Sequence, residues 1–516
     1  MDRNGHTGSN GSRRIKIPEG MDSQIIPQLS PQWPQTFAKS MDIYSHSPSS
    51  GRINGVGSSS FQNESLFSSF EHLPEANGME NSNTGLKEPL LIQRKRHPQE
   101  EYEENEYWGD HAIGIVEHAN NEKTDEGSTF LRASLNGMNV LAGVGILSTP
   151  YALSEGGWLG LSILFLFSAI CCYTGILLKR CMETNTQIRS YPDIGQAAFG
   201  QKGRIIVSIF LYVELYAVTV EFLILEGDNL AQLFPKVALE FAGIRINSQQ
   251  SFILLSAFVI LPTVYLRNLS LLAYISASGV AASVLVVLAV GWVGVFDGVG
   301  FHLQGRLLNL GGLSTAIGLY AFCFCGHAVF PSIYSSMKDR KQFSMVLILC
   351  FVVCTMIYGS IAVMGYMMFG NQLESQVTLN LPETLVASKV AIYITLINPF
   401  AKFSLTITPL ATALEEFLPS SGGWLVVWGT GIRTLLVIST VAVALAVPFF
   451  GYLMALIGSL LSCSVSIIIP CICYLKLFGA SMSRHEMTLI YIIVILGIVT
   501  AITGTYSSLR NIADAM

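Results

Sequence analysis

The stretch Gly143-Val144-Gly145-Ile146-Leu147-Ser148-Thr149-Pro150 interrupts the first long apolar segment of the chain, residues 130–153. Two glycines two apart weaken a helix, and a proline removes a backbone donor and crowds the preceding turn. Ser148 and Thr149 are N-cap residue types, and Pro150 suits the first turn of a new helix. The expectation is a helix that stops and restarts within an apolar span. Hydrocarbon does not tolerate freed N–H and C=O groups unless protein, water or ligand satisfies them. A break there either is covered by neighbouring helices or lines a cavity; the plain alternative is a proline kink.

Composition sets the surroundings of this stretch. Of 516 residues 51% are hydrophobic and only 13% charged, with a mean hydropathy of +0.49. Soluble domains carry roughly a quarter charged residues, so this is a polytopic membrane protein. The net charge of −5 is unevenly spread: residues 1–125 hold 18 Asp/Glu against 11 Lys/Arg. That quarter is rich in Ser, Asn, Gly and Glu without a sustained apolar period, and reads as a disordered acidic cytosolic tail. No apolar stretch follows Met1 to form a signal peptide. Lys87-Glu88-Pro89-Leu90-Leu91 has the form of a loose acidic dileucine signal, which would give Leu90 and Leu91 to a sorting adaptor.

Residues 126–516 read as the transmembrane domain. Eleven apolar segments are long enough to span, since about 20 helical residues cross a bilayer core. They run over 130–153, 157–178, 204–225, 250–267, 270–296, 312–336, 343–369, 386–414, 425–447, 449–475 and 486–508. Only Pro448 separates the ninth from the tenth. Residues 190–200 read as a small interfacial helix ahead of span three. The basic residues Lys179, Arg180, Arg189, Lys202 and Arg204 cluster in one loop, and Lys338, Arg340 and Lys341 in another. The intervening loops are poorer, so the N-terminus is expected in the cytosol. Nine of the ten cysteines fall within spans and one in a cytosolic loop, which predicts packing residues rather than disulfides. No metal-ligand set accompanies Cys323-x-Cys325 or Cys471-x-Cys473, and neither a cofactor nor a nucleic-acid partner is implied.

The sixth span is interrupted too: Ile317-Gly318-Leu319-Tyr320-Ala321-Phe322-Cys323-Phe324-Cys325-Gly326-His327-Ala328-Val329-Phe330-Pro331. Interrupted spans one and six stand five apart. A five-helix unit crosses an odd number of times, so a second copy must insert upside down. The fold class expected is therefore all-α, eleven membrane helices in a 5+5 inverted repeat (about 130–296 and 312–475) plus one helix, with helices 1 and 6 broken. Paired interruptions at matching places in two halves point to the central site of a secondary transporter.

Such a site has a definite chemistry. Free amides and the positive dipole end of a helix restarting near Gly143, Val144, Gly145 and Ile146 suit a carboxylate. Unwound carbonyls between Phe322 and Gly326, including Cys325, suit an ammonium. Together they fit a zwitterionic α-amino acid, with Tyr216, Tyr320 and Phe322 as candidates for reading its side chain. Ionisable groups inside spans are costly and suggest function. Glu214 and Glu221 lie seven residues apart in span three, on nearly one face, and are candidates for passing protons. Each also has a plain reading as a hydrogen-bonded buried acid. His327 has an intrinsic pKa suited to titrating near neutral pH; its plain reading is a packing histidine. Lys402, near the middle of span eight, is a fixed ammonium able to take a coupling cation's place, or else snorkels or pairs with an acid. Ser404, Thr406 and Thr408 are the alternative, a sodium site.

Asn136-Gly137-x-Asn139-Val140-Leu141-Ala142-Gly143-Val144-Gly145-Ile146-Leu147-Ser148-Thr149-Pro150-Tyr151-Ala152 resembles the first helix of the amino acid/auxin permease family. Glu214-Leu215-Tyr216 with Leu225-Glu226-Gly227-Asp228-Asn229-Leu230, and Phe324-Cys325-Gly326-His327-Ala328-Val329-Phe330-Pro331, resemble its vesicular inhibitory amino acid transporter-like branch, above all the type-1 vacuolar transporters of plants and fungi. The resemblance covers about 130–508. It implies a leucine-transporter-type fold holding substrate between the breaks of helices 1 and 6. It also implies proton-coupled movement of neutral amino acids across a vacuolar membrane, commonly antiport into the lumen. Proton symport or export, an amino acid sensor on the same fold, and a plasma-membrane location are the alternatives. No Gly-x-Ser-x-Gly elbow or His cluster marks an intramembrane enzyme.

Overall fold

A computed structural model describes residues 33–34, 37, 40–41, 127–237, 239–241, 244–266, 278–302, 305–418 and 424–516. The dileucine signal at Leu90 and Leu91 lies outside the described residues, as does nearly all of the acidic tail. The described chain is helical apart from one small hairpin, β1 (Leu239–Phe241) with β2 (Ile244–Ile246).

The first span is two helices. Helix α1 (Phe130–Leu141) starts under Thr129, whose side chain accepts from the Arg132 amide, and α2 (Gly145–Gly156) continues it at a bend of 54°. The break lies at 142–144, where the Gly143 amide turns back to Leu141 O (2.7 Å). The restart is earlier than the serine–threonine pair suggested, so Ser148 and Thr149 are not caps. They lie inside α2 and donate to the carbonyls of Gly145 (3.1 Å) and Ile146 (3.0 Å). Pro150, also inside α2, denies the Ile146 carbonyl its usual donor, and the Thr149 hydroxyl supplies one.

Helix α3 (Gly160–Met182) follows, then α4 (Tyr191–Leu233). Residues 190–200 do form a helix, but it runs directly into span three. A capping box, Ser190 with Asp193, opens it, and Gly200 at φ +67° makes the bend that a residue with a Cβ would resist. Arg204, just past the bend, pairs with Asp193 before it. Then come α5 (Ser248–Val264), α6 (Gly279–Val295), α7 (Leu313–Cys323), α8 (Phe330–Ser336), α9 (Phe343–Phe369), α10 (Val386–Glu415), α11 (Trp424–Ala446), α12 (Phe450–Phe478) and α13 (Arg484–Ala515). Pro448 sits in the short gap between α11 and α12. Seven of these helices are long and apolar enough to cross a membrane, eight with α1 and α2 counted as one span. Helices α5, α6 and α7 are apolar but shorter.

The two broken spans lie antiparallel. At one end Ser128 exchanges backbone hydrogen bonds with Ser336 (2.7 Å) and Lys338 (3.1 Å), joining the start of α1 to the end of α8. At the other end the Asn309 amide donates to Gly156 O (3.2 Å), joining the end of α2 to the approach to α7. Helix α12 crosses α7 backbone to backbone at Gly318 and Gly458, where any side chain would collide. In that stretch α12 loosens to π-helical turns over Ile457–Ser462 and Ser464–Ile468. Such insertions re-aim side chains and recur at functional sites.

Candidate functional site

Helix ends leave their terminal amides and carbonyls without intrahelical partners. Where α2 starts, the Ile146 and Leu147 amides close tight turns onto Gly143 O (3.4 Å) and Val144 O (3.1 Å). That leaves the amides of Val144 and Gly145 without a backbone acceptor among the described residues. Where α1 ends, the Gly143 amide has turned to Leu141, so the Asn139 carbonyl loses its helical donor. The Lys402 ammonium from α10 takes its place, 3.0 Å away and buried. A cation there also meets the negative end of the α1 dipole.

The second break is built in the same way. The Phe324 and Cys325 amides both turn to Phe322 O, and the Val329 amide takes Gly326 O (3.1 Å). Within the stretch Phe322–Gly326 this leaves the carbonyls of Cys323, Phe324 and Cys325 without a backbone donor among the described residues, three rather than the whole stretch the sequence suggested. The Tyr358 hydroxyl of α9 lies against Leu141 O and 3.3 Å from Cys323 O, the last carbonyls of α1 and α7. One side chain thus ties the two breaks together. Its ring packs edge-on against Phe324 at 5.7 Å.

Between the breaks lies a cavity of about 100 Å³. Its walls include Gly143, Val144 and Gly145 from the first break and Phe322, Cys325 and Gly326 from the second, with Glu214, Lys402 and Thr406 as the polar side chains. Glu214 is buried and one carboxylate oxygen accepts from Cys325 Sγ (2.9 Å) and from Ser462 Oγ (2.7 Å). Ser462 belongs to the π-helical stretch of α12, which carries it to the carboxylate. The site therefore sets amide donors at one break, carbonyl acceptors at the other, and one acid and one base within the same wall.

The other expected site residues lie elsewhere. Ile146 faces a smaller cavity shared with α6 and α10. Tyr216 points to α11, donating to Ser439 Oγ (3.0 Å), and Tyr320 is buried beside Gly160. Glu221 is buried with neither carboxylate oxygen hydrogen-bonded, and it does not line the central cavity. His327 is buried against α3, its Nε2 3.0 Å from Thr174 Oγ1 and 3.1 Å from Cys171 O, and its ring 4.9 Å from Phe330. Of the sodium alternative, Ser404 is engaged with Thr263 (2.6 Å) and Thr408 with Ser404 O (2.6 Å). Thr406 alone of the three lines the cavity. Tyr358, Ser462, Leu215, Val218 and Phe222 are additions that sequence reasoning missed. A polar residue in an apolar span was the only signal for the first two.

His327 holds the second break to α3 without reaching the cavity. Replacing it by alanine is expected to lower maximal flux several-fold while the apparent KM for substrate moves less than about 2-fold. A large rise in KM at unchanged maximal flux would place His327 on the substrate instead. Full uptake with an unaltered pH profile would remove any role for it.

Two broken antiparallel spans around a mostly apolar cavity, with one buried acid and one buried amine in its wall, mark the centre of a multi-pass membrane protein. Residues 126–510 match the family described as transmembrane amino acid transporter protein, and the chain belongs to it. It is 45% identical over 512 residues to amino acid transporter AVT1C of Arabidopsis thaliana, covering 94% of this chain and 90% of that one. It is 50% identical over 393 residues to amino acid transporter AVT1J of the same plant, covering 75% and 92%. Family and relatives are transporters, not enzymes. Among solved structures, that of a Na+-coupled sialic acid symporter matches at 11% identity and a TM-score of 0.46, covering 73% of this chain and 89% of that one.

Proposed function

We propose that this protein moves neutral α-amino acids across the membrane of an acidic organelle, the vacuole, by alternating access coupled to protons, with uptake into the lumen by proton antiport. The observation that carries the reading is the facing pair of breaks. The substrate carboxylate fits the Val144 and Gly145 amides, and its ammonium fits the Cys325 carbonyl beside Glu214. Antiparallel packing of the two broken spans supports the 5+5 inverted repeat. Adding the three shorter apolar helices to the eight longer crossings brings the span count to the eleven expected. The basic loops support a cytosolic N-terminus.

Protons rather than sodium fit the site. The carbonyl that a coupling cation would claim at the end of α1 is held by Lys402, and two of the three candidate hydroxyls are engaged elsewhere. Glu214 is the titrating group on the cavity wall. Glu221, two turns along α4, is a buried acid without a partner and suits a relay step.

The test is amino acid flux into proteoliposomes under pH gradients of either sign, with and without sodium. The expected result is accumulation in an acidic lumen, abolished by an uncoupler and indifferent to sodium. Glu214→Gln, fixed in a neutral form, is expected to keep amino acid exchange and lose accumulation. Sodium-driven uptake would overturn the coupling. Binding without flux would favour the sensor reading.

A further inference from the structure

The N-terminal segment enters the mouth of the central cavity. Trp33, Phe37 and Met41 recur every four residues, the spacing that puts side chains on one face of a helix. The hydrogen bonds and ring contacts described for this segment fall on Arg204 and Tyr212 of α4, on Thr412 and Ala413 of α10, and on Phe417 just past the end of α10. The Trp33 indole donates to Ala413 O (2.9 Å). That carbonyl is orphaned because the Phe417 amide has turned to Leu414 O (3.2 Å). The Trp33 ring packs on Phe417 (5.3 Å) and Tyr212 (5.7 Å), and Phe37 meets Tyr212 edge-on at 5.7 Å. Ser40 Oγ lies 3.2 Å from Thr412 Oγ1. Arg204 donates to the segment's own backbone, at Trp33 O (3.2 Å) and Pro34 O (2.6 Å).

Met41 is the last described residue of the segment, and it is buried. It lines the same cavity as Gly145, Glu214, Cys325 and Lys402. Met41 thus forms part of the cavity wall on that side. Its anchors are a capped carbonyl, two charge-assisted bonds from one arginine, the buried Phe37 and Met41 side chains and the partly buried Trp33 ring. Such a set holds the segment through side-chain contacts and hydrogen bonds that can be released together.

We propose that the segment carrying Trp33, Phe37, Ser40 and Met41 is an autoinhibitory plug that seals the central cavity from the side on which those residues lie. Its effect on flux rests on the transport reading above; its effect on access to the cavity does not. The plug works by occupancy, so loosening it raises both access and flux without touching the substrate site.

The test uses the full chain in proteoliposomes, with Trp33→Ala and Phe37→Ala combined, neither of which lines the cavity. Two quantities are read: amino acid flux, and the rate at which Cys325 on the cavity wall is alkylated by N-ethylmaleimide, followed by peptide mass spectrometry. Both are expected to rise about 5-fold or more as the open fraction grows. A second variant, Ser40→Cys with Thr412→Cys, fixes the segment in place by a disulfide. Oxidation is expected to suppress flux and alkylation, and reduction to restore them. Faster Cys325 alkylation with no flux in any chain would keep the plug and sink the transport reading. Flux and alkylation that ignore both the loosened and the cross-linked forms would overturn the plug. So would a loosened variant that loses flux while the cross-linked one transports normally, since the segment would then serve only as packing.

Discussion

Lys402→Ala is expected to reduce proton-driven amino acid accumulation by about 100-fold or more, while the protein still inserts and folds. The ammonium is buried 3.0 Å from Asn139 O at the end of α1, and it is the cation nearest that carbonyl's vacated helical bond. Removing it takes a charge-assisted hydrogen bond, worth about 1.5–3 kcal/mol, from the Asn139 carbonyl. Further loss comes from the missing charge. That cost falls on the conformation in which α1 and α10 meet, so it shifts the transport equilibrium rather than the fold alone. Lys402→Met separates charge from volume. It keeps the stem, and replacing a buried ion by an apolar side chain often leaves stability unchanged or higher. Met is therefore expected to be as inactive as Ala but as thermally stable as the parent chain. Normal pH-driven transport by Lys402→Ala in sodium-free buffer would end the fixed-cation reading.

The architecture was legible where backbone chemistry is written into residue type. Gly143 and Gly145 marked the first break, and Gly326 and Pro331 marked the second, because glycine and proline alter the main chain itself. Facing was less legible. Helices buried on most sides carry almost no apolar periodicity, so nothing in α4 distinguishes the face of Glu214, on the cavity, from that of Tyr216, on α11. The same blindness put Ile146 with the substrate and His327 near it. Cap chemistry misled for a different reason. Ser148 and Thr149 have the side chains of N-caps, but the same hydroxyls can serve carbonyls inside a helix, and the proline that follows makes that use necessary. Tyr358 was invisible because its role depends on two carbonyls from distant helices. The Trp33–Phe37–Met41 spacing was present in the sequence, but three apolar residues in a polar tail do not rise above its composition.

The second large effect is expected at Gly145, which sits between the two breaks with almost no room. A Cβ there would lie 2.9 Å from Cys323 Sγ and 3.3 Å from the Cys323 Cα. The thiol can rotate away, but the α7 backbone behind it cannot. A leucine must therefore send its remaining carbons into the cavity of about 100 Å³ and over the amides of Val144 and Gly145. Gly145→Leu is thus expected to eliminate both amino acid binding and flux. Gly143, two residues earlier in the same break, supplies the control for general damage to the turn. A Cβ on it would meet only Leu141 O, at 3.9 Å, in ordinary contact. Gly143→Ala is expected to lose far less, within about 5-fold in flux, through reduced backbone freedom alone. The contrast is informative because both residues lie in one turn and differ mainly in what faces them. Equal losses at the two positions would mean that the turn's flexibility matters and the cavity wall does not. Normal transport by Gly145→Leu would mean that the carboxylate does not sit at the first break.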